Sequence, residues 1–264
     1  MQSTETAATP LRIEPRGGVL HLTLDRPAQF NALSDELLTA LQSAFDAAAR
    51  DPSIRVIVLG GAGRAFSAGH DLKEMRSHPD QAYLRGLFDR CSKMMLTIQE
   101  LPQPVIARVH GIATAAGCQL VAACDLAVAS EDARFAVSGI NVGLFCSTPS
   151  VALARNVGRK QALEMLLTGE FIDARTARER GLVNRVVPAA ELDAEVDRLA
   201  QAIVAKTPVA VASGKRVFYR QVELGVAEAY ELASGAMACD MMTHDAGEGI
   251  DAFIAKRPPS WRGT

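Results

Sequence analysis

The chain has 264 residues, of which 48% are hydrophobic, 22% are charged and 5% are aromatic. This length predicts one large domain or two small ones with an ample hydrophobic core. The net charge of −2 and the scarcity of aromatic side chains argue against a nucleic-acid partner. No stretch approaches the roughly 18 apolar residues that a membrane helix requires, so no membrane partner is predicted.

The cysteines and histidines predict neither disulfides nor a metal site. The five cysteines, at 91, 118, 124, 146 and 239, are odd in number and form no Cys-x-x-Cys pair. This pattern is typical of reduced thiols in a cytosol-like compartment. The five histidines show no metal-ligand spacing. Residues 1–10 lack a basic segment and an apolar run, which predicts a flexible N-terminal tail, no targeting sequence and a cytoplasmic location.

The first predicted elements are a β-hairpin and a helix. Residues 11–24 alternate as two strands around the turn at residues 16–18. Ser34 is a predicted N-cap, because two acidic residues follow it and apolar side chains then recur at helical spacing to Ala48.

Three short apolar runs, at residues 55–60, 104–109 and 125–130, are typical of strands buried on both faces. The helical segments between them predict right-handed crossovers and a largely parallel sheet. After about residue 149 the strand pattern nearly vanishes, apart from residues 182–187. Helical segments are predicted at residues 149–168, 173–180, 190–206, 208–225, 227–242 and 246–256. We therefore divide the chain into the tail, an α/β core over residues 11–200 and a helical region over residues 201–264.

The first of two unusual loops, GGAGRAFSAGHDLKE over residues 60–74, follows a predicted strand. A dinucleotide loop would need glycine where Phe66 stands, and a phosphate-binding loop would need Gly-Lys-Ser/Thr. Asp71 and Glu74 have the spacing of a capping box for a helix beginning near Leu72. The backbone at His70 is therefore expected at the positive end of a helix dipole.

The second loop lies in GIATAAGCQLVAACD, residues 111–125, and also precedes a predicted helix. The small residues at 113–117 would let a ligand approach the backbone closely. Free N–H groups at a helix start bind negative charge, and two such sites would form an oxyanion hole if they converge. Tight packing of the backbone is the alternative explanation for the same small residues.

Five segments resemble, in order, the motifs of the crotonase (enoyl-CoA hydratase/isomerase) superfamily. They are DRPAQFNAL (25–33), AFSAGHDLKEM (65–75), PVIARVHGIATAAGCQL (104–120), GLVNRVVP (181–188) and FIAKRP (253–258). The resemblance implies an α/β crotonase (ClpP-like) fold with a ββα superhelix core and a C-terminal helical trimerisation region over residues 201–264. Residues 141–149, NVGLFCSTP, are similar to the divergent "enoyl-CoA hydratase domain-containing" subgroup.

The resemblance implies an acyl-CoA thioester as ligand, with coenzyme A entering as part of the substrate and no separate cofactor. It places the two oxyanion-hole N–H groups on His70 and Ala116. It also implies a homotrimer, or a hexamer built as a dimer of trimers. The positions it assigns to substrate and CoA binding are Gln29, Phe30, Ala68, Gly69, Asp71, Leu72, Gly117 and Lys256, with Arg257 as an alternative to Lys256.

The two catalytic glutamates of the hydratase pattern are both missing. Their positions hold Gln119 and Gly139, and neither side chain takes a proton from water at neutral pH. General acid–base help contributes about 10²–10⁴-fold, so ordinary hydration is expected to be weak or altered. A catalytically silent acyl-CoA-binding protein and another acyl-CoA reaction, such as decarboxylation or thioester hydrolysis, stay open as alternatives. The ring of His70 is either a catalytic group or a packed side chain.

Overall fold

The computed structural model describes residues 9–264, so almost all of the tail predicted over residues 1–10 lies outside the described part of the chain. The strands are β1 (Leu11–Arg16), β2 (Val19–Leu24), β3 (Val56–Gly61), β4 (Ala65–Ser67), β5 (Val105–Val109), β6 (Ile112–Thr114), β7 (Leu126–Ser130), β8 (Arg134–Ala136), β9 (Ile172–Asp173) and β10 (Arg185–Val187).

The helices follow the same chain order. They are α1 (Asp35–Ala48), α2 (Leu72–Ser77), α3 (Gln81–Glu100), α4 (Ala116–Ala123), α5 (Ser147–Asn156), α6 (Arg159–Thr168), α7 (Ala174–Glu179), α8 (Leu192–Val204), α9 (Pro208–Gln221), α10 (Val226–Asp240) and α11 (His244–Ile254). Among these described residues, no helix is both long and apolar enough to cross a membrane.

The larger sheet has the strand order β1-β2-β3-β5-β7-β10. The β1–β2 pair is the predicted hairpin, and every later pairing is parallel. The predicted parallel sheet is therefore confirmed. The last strand is shorter than expected, because only residues 185–187 of the run at 182–187 pair with β7.

The two faces of this sheet carry separate hydrophobic clusters. On one face, the larger cluster includes Leu22, Leu59 and Ala107 of the sheet together with side chains of α1, α3 and α4. On the other face, valines of β2, β3 and β7 pack with α8. Burial on both faces explains why the central strands read as unbroken apolar runs.

A second sheet, with the order β4-β6-β8-β9, was not predicted from the sequence. Its strands are only two or three residues long, which is too short to show an alternating pattern. Strands β4 and β6 are parallel neighbours that lie within the two unusual loop segments, and the residues around His70 and Ala116 follow them directly. This small sheet therefore brings the loops predicted at His70 and at residues 113–117 to the same edge.

The predicted helices are confirmed, except that one of them is divided into two helices. The Ser34 side chain accepts a hydrogen bond from the N–H of Leu37 and caps α1 as expected. The segment predicted as one helix over residues 149–168 is two helices. Val157 between them is extended, with φ −109° and ψ 142°, and Gly158 begins the next helix as its N-cap.

A buried ion pair ties the C-terminal helices to the core. The Lys215 Nζ atom lies 2.7 Å from Asp125 Oδ2, and the two side chains are 6% and 12% exposed. The ammonium also donates to the carbonyls of Ile98, 2.7 Å away, and Gln103, 2.9 Å away. The other carboxylate oxygen accepts from the Tyr219 hydroxyl at 2.8 Å. One lysine of α9 thus satisfies a carbonyl in the last turn of α3 and a carboxylate at the start of β7.

Candidate active site

The two loops that follow β4 and β6 pack backbone against backbone. A Cβ atom placed on Gly69, where φ is +88°, would lie 2.9 Å from the Ala115 Cβ and 3.0 Å from the Ala116 nitrogen. A Cβ atom on Gly117 would collide with the carbonyl oxygen of Ser67. Tight packing of the backbone, the alternative explanation of the small residues, therefore accounts for these two glycines, and the approach of a ligand stays a prediction. The loops converge, and their close packing requires glycine at 69 and 117.

The N–H group of His70 differs from those beside it in having no hydrogen-bond partner. The neighbouring bonds run from Ala68 N–H to the Phe30 carbonyl, from Gly69 N–H to Ser67 Oγ and from Asp71 N–H to the Leu33 carbonyl. Within the described residues, the His70 N–H is therefore available to a ligand.

The N–H group of Ala116 is available for a different reason. Ala116 is the first residue of α4, and the first N–H groups of a helix have no intrahelical acceptor. The preceding N–H, of Ala115, is already bonded to the carbonyl of Ala136 at 3.1 Å. The convergent loops thus offer two backbone donors, on His70 and Ala116, which is the arrangement that binds a developing oxyanion.

Ala115 adopts a backbone conformation that is unusual for a residue with a side chain. Its φ of 50° and ψ of −123° lie in a region that glycine occupies readily. Strain of this kind costs on the order of 1–3 kcal/mol and is concentrated at functional sites. The strained residue directly precedes Ala116, so this conformation sets the direction in which α4 begins.

A pocket of about 220 Å³ opens beside these two donors. Five of the predicted site residues lie on its wall, namely Ala68, His70, Leu72, Ala116 and Gly139. The rest of the wall is mainly apolar. It comprises Met75, Phe88, Ala115, Ser138, Val142, Leu144, Phe145, Cys146, Ser147, Thr148 and Pro149. The pocket therefore suits an apolar group attached to a carbonyl that meets the two donors.

Phe88 on the pocket wall was missed by the sequence interpretation. Phe88 belongs to α3, beside the fully buried Leu87, and only the three-dimensional packing turns it towards the pocket. Ser138 lies on the wall and is 2.7 Å from the Thr114 hydroxyl. A helical hydrophobic stripe would identify Leu87 as core, but it carries no information on a pocket formed by distant segments.

The two positions of the missing glutamates lie in different surroundings. Gln119 is 4% exposed and is not part of the pocket wall, and its Oε1 atom has no hydrogen-bond partner. A Cβ atom on Gly139 would lie 2.6 Å from Cys146 Sγ and 2.7 Å from the Leu144 carbonyl oxygen. The segment over residues 144–146 thus occupies the space that a side chain at position 139 would need.

Cys146 is on the pocket wall and is 7% exposed. Burial raises the pKa of its thiol, against the weaker opposing effect of a hydrogen bond from the backbone of Gly139. The protonated form is therefore favoured, which does not suit a nucleophile.

Asp71 positions the helix at the site. Its carboxylate accepts from the N–H groups of Lys73 at 3.1 Å and Glu74 at 3.3 Å, and Arg26 lies 3.1 Å away. Burial raises the pKa of Asp71, but these hydrogen bonds and the charge of Arg26 outweigh burial and lower it. Because its oxygens already accept hydrogen bonds from Lys73, Glu74 and Arg26, Asp71 is better suited to a structural role than to the predicted contact with CoA.

The predicted capping box at this helix is only half correct. Asp71 caps α2 as expected, whereas the Glu74 carboxylate accepts from the N–H of Asp35 at 3.1 Å. The Tyr83 hydroxyl also donates to Glu74 at 3.3 Å. Glu74 is turned away from the start of its own helix because the start of α1 supplies a free N–H nearby.

The predicted CoA-binding residues near the N-terminus form an exposed patch. Gln29 and Phe30 end a short 3₁₀ turn, and Phe30 is 39% exposed. The Arg64 guanidinium carbon lies 4.7 Å above the centre of the Phe30 ring. An exposed aromatic face beside a cation suits a nucleotide.

The two candidate phosphate contacts near the C-terminus differ in their partners. Arg257 forms two hydrogen bonds to Glu248, of 2.6 and 2.8 Å. Lys256 is exposed, and its ammonium has no hydrogen-bond or ion-pair partner in the described chain. Of the two, Lys256 is the available cation.

The ring of His70 is enclosed beside the pocket. Its centroid is 5.4 Å from that of Phe88 in an edge-to-face arrangement. Neither ring nitrogen has a hydrogen-bond partner within residues 9–264. Burial lowers the pKa of His70, and the backbone of Leu33 opposes this only weakly. In the same residues, no group of three His, Cys, Asp or Glu side chains could hold a metal ion.

Comparison with known proteins agrees with the fold and with the motifs. A family model described as enoyl-CoA hydratase/isomerase matches residues 14–264. The chain is 47% identical over 260 residues to "Enoyl-CoA hydratase domain-containing protein 3, mitochondrial" of Xenopus laevis, covering 98% of this chain and 88% of that protein.

Two solved structures superpose closely on this chain. An enoyl-CoA hydratase of Mycobacterium smegmatis has a TM-score of 0.94 and 60% identity, with coverage of 96% of this chain and 98% of the other. Human enoyl Coenzyme A hydratase domain-containing protein 3 also has a TM-score of 0.94, with 47% identity and coverage of 96% and 100%. The predicted α/β crotonase fold and the resemblance to the domain-containing subgroup are therefore confirmed.

The comparison also corrects the predicted location. The Xenopus laevis and Homo sapiens relatives both carry "mitochondrial" in their names, which contradicts the expectation of a cytoplasmic protein. That expectation came from reduced cysteines and the composition of residues 1–10. Reduced thiols do not distinguish between compartments that both lack disulfides.

With a family model matching nearly its whole length and relatives of this similarity, the chain belongs to the enoyl-CoA hydratase/isomerase family.

Proposed function

We propose that this protein binds acyl-CoA thioesters and polarises the thioester carbonyl with the backbone N–H groups of His70 and Ala116. The observation that carries the proposal is the pair of unbonded N–H groups on two convergent loops beside an apolar pocket. A thioester enolate concentrates negative charge on oxygen, and such donors stabilise it by about 2.7–4 kcal/mol each.

The proposed enzyme is a poor hydratase. Hydration of an enoyl thioester needs a base to activate water and an acid to protonate carbon. Gln119 and Gly139 supply neither group, and the space beside Gly139 is filled by residues 144–146. The proposed protein thus keeps the backbone donors that bind the thioester carbonyl, but it lacks the two carboxylates that would act as acid and base. No metal or redox cofactor takes part in this proposal.

The first test compares binding with turnover. We expect crotonyl-CoA and acetyl-CoA to bind at or below millimolar concentration in calorimetry, because the donors and pocket need no general base. We expect crotonyl-CoA hydration, followed by the loss of enoyl absorbance, to be well below the roughly 10 s⁻¹ of a typical enzyme. Absence of binding for every acyl-CoA would refute the proposed function. Hydration at an ordinary rate would refute the assignment of a poor hydratase.

A second prediction concerns Gln119. We expect Gln119→Glu to leave crotonyl-CoA hydration within about threefold of the unmodified protein, because the side chain at position 119 is buried and lies outside the pocket wall. The 10²–10⁴-fold contribution of acid–base catalysis requires a carboxylate that reaches the substrate or its water. Gln119→Met, which has a similar size but no acid–base group, is the matched control and should give no gain.

The position of the other missing glutamate leads to the same expectation. Gly139→Glu should give no gain either, because its Cβ atom would meet Cys146 and the Leu144 carbonyl. A Gln119→Glu variant that hydrates crotonyl-CoA tenfold faster than the unmodified protein would contradict this expectation, because it would show that position 119 reaches the reacting atoms.

We also propose that the chain assembles into a homotrimer, or a hexamer of two trimers, through its C-terminal helices. Helices α10 and α11 expose several large apolar side chains. They are Val226 (76%), Tyr230 (72%), Met237 (69%), Ile250 (43%), Phe253 (85%) and Ile254 (73%). Large apolar side chains that stay exposed in the isolated chain are typical of subunit interfaces. Lys256 follows them directly, so assembly would bring its cation to another subunit.

Light scattering tests the assembly. We expect a mass of three or six times the 28.1 kDa chain, and Phe253→Asp should lower it because a charge would be buried in the interface. Asp251→Asn, at an exposed acidic position on the same helix, is the control for a change of charge. A stable monomer for the unmodified protein would contradict the proposal.

A further inference from the structure

Ser138 lies on the pocket wall near one of the two backbone donors. It is partly exposed and begins a short 3₁₀ helix just after β8. The Ala115 N–H donates to the Ala136 carbonyl at 3.1 Å, and Thr114 of β6 pairs with Ala136 of β8. The chain leading to Ser138 therefore runs beside the chain leading to Ala116, at the spacing of about 4.8 Å that separates neighbouring strands.

A second hydroxyl group is bonded to that of Ser138. The Thr114 Oγ1 atom lies 2.7 Å from Ser138 Oγ. Thr114 is buried, and across residues 9–264 its hydroxyl has no other hydrogen-bond partner. Each hydroxyl has one proton to donate and two lone pairs that accept. The bond between the two hydroxyls thus uses one of their protons and leaves the other without an acceptor in the described chain.

The burial of Thr114 determines which proton is left over. If Ser138 donated to Thr114, the Thr114 proton would be buried with no acceptor, which is the costly arrangement. If Thr114 donates to Ser138, the remaining proton belongs to Ser138, on the pocket wall. The second arrangement satisfies the buried hydroxyl, so the Ser138 O–H is the group that is free to donate into the pocket.

The other two hydroxyls on the wall differ from that of Ser138. The Ser147 hydroxyl donates to the Phe145 carbonyl at 3.4 Å, so its proton is used within the protein. Thr148 lies in the first turn of α5, and no second side chain in the described residues is bonded to its hydroxyl to fix its direction. Ser138 is therefore the hydroxyl of this wall that is both held in place and left with a free proton.

We propose that the Ser138 hydroxyl is a specificity-determining donor that hydrogen-bonds an oxygen atom on the acyl chain, close to the thioester, as in a 3-hydroxyacyl or 3-oxoacyl group. This inference rests on the proposed function, because the His70 and Ala116 N–H groups must first hold the thioester carbonyl. The surrounding wall is mainly apolar. A saturated acyl chain would displace water from the Ser138 proton and offer no acceptor in its place, whereas an oxygenated chain supplies one.

Calorimetry with three acyl-CoA ligands of equal chain length tests this role. They are butyryl-CoA, 3-hydroxybutyryl-CoA and acetoacetyl-CoA. We expect the unmodified protein to bind both oxygenated ligands about three- to tenfold more tightly than butyryl-CoA, which is the effect of one net hydrogen bond. Ser138→Ala should raise the Kd of both oxygenated ligands by that factor and leave the Kd of butyryl-CoA within about twofold.

The two oxygenated ligands also test the direction of the hydrogen bond. The 3-oxo group of acetoacetyl-CoA can only accept a hydrogen bond, whereas a 3-hydroxyl can donate or accept. Weaker binding of both ligands to Ser138→Ala would support a serine that donates. Weaker binding of 3-hydroxybutyryl-CoA alone would show that Ser138 accepts, and it would overturn the proposal.

Three further variants provide the controls. Ser147→Ala makes the same change on the same wall where the proton is already used, so all three Kd values should stay within about twofold. Thr114→Val keeps the shape of the side chain and leaves Ser138 its proton, so at least half of the preference should remain. Thr114→Val combined with Ser138→Ala leaves neither hydroxyl unpaired. It should lose the preference and replaces the single variant if Ser138→Ala does not fold.

The outcomes distinguish this inference from the proposed function. If the unmodified protein binds none of the three ligands, the proposed function fails. If it binds butyryl-CoA as tightly as both oxygenated ligands, or if Ser138→Ala changes no Kd by more than twofold, the role of Ser138 is refuted while thioester binding stands. Weaker binding of the oxygenated ligands to Thr148→Val, but not to Ser138→Ala, would refute it equally.

Discussion

Replacing Lys215 by methionine is expected to lower the free energy of unfolding by about 3–5 kcal/mol. The change leaves the Asp125 carboxylate, 12% exposed, without its cation and leaves the carbonyls of Ile98 and Gln103 without a donor. Burial already lowers the pKa of Lys215 and raises that of Asp125, so each charge depends on the other. Urea unfolding at fixed protein concentration measures the loss, since assembly makes stability depend on concentration.

The control for this prediction is Lys206→Met. Lys206 is exposed, and its ammonium has no partner in the described chain, so the change should stay within about 0.5 kcal/mol. Adding Asp125→Asn to Lys215→Met should recover part of the stability, because the buried carboxylate charge is removed. A loss below about 1 kcal/mol for Lys215→Met would show that the pair does not hold α9 to the core.

Replacing Gly117 by alanine is expected to lower the free energy of unfolding and also to slow turnover of the bound acyl-CoA. In an ordinary helix this change stabilises by roughly 0.5–1 kcal/mol. Here the new Cβ atom would collide with the Ser67 carbonyl oxygen, and overpacking of this kind costs about 1–3 kcal/mol. The start of α4 must shift, which moves the Ala116 N–H away from the bound carbonyl. Loss of one such donor lowers turnover by about 10²–10³-fold.

Thermal unfolding measures the first effect of Gly117→Ala. Deuterium exchange into butyryl-CoA in heavy water, which follows formation of the thioester enolate, measures the second. Gly214→Ala is the matched control, because Gly214 also lies inside a helix and a Cβ atom there meets nothing within 4 Å. It should raise stability slightly and leave exchange unchanged. If Gly117→Ala behaves like Gly214→Ala, the close approach of the two loops is not needed for the site.

Local signals in the sequence account for most of the fold. The hairpin over residues 11–24 follows from alternation around a glycine turn, and α1 follows from the cap at Ser34. The strands near residues 55–60, 104–109 and 125–130 are unbroken apolar runs because α8 covers one face of the sheet and the larger cluster covers the other. Such signals depend on neighbours along the chain, so they can be read without the structure.

The order of motifs likewise placed His70 and Ala116 at helix starts, and it identified Gln119 and Gly139 as departures from the hydratase pattern. Those statements concern residue identity and spacing alone. The cellular location could not be read in this way. The features used, reduced cysteines and the composition of residues 1–10, do not separate one reducing compartment from another.

The tertiary structure decided how these residues meet. Strands β4 and β6 are only three residues long, too short to predict, yet their pairing brings Gly69 against Ala116. The contact between Gly139 and Cys146, the enclosure of the His70 ring by Phe88 and the bond between Glu74 and Asp35 all join distant segments. The sequence by itself determined the elements and the residue types at the site, because those depend on local backbone preferences and hydrophobic period. Which donors stay unbonded and which side chains border the pocket depend on packing between segments far apart in the chain, and only the folded structure specifies that packing.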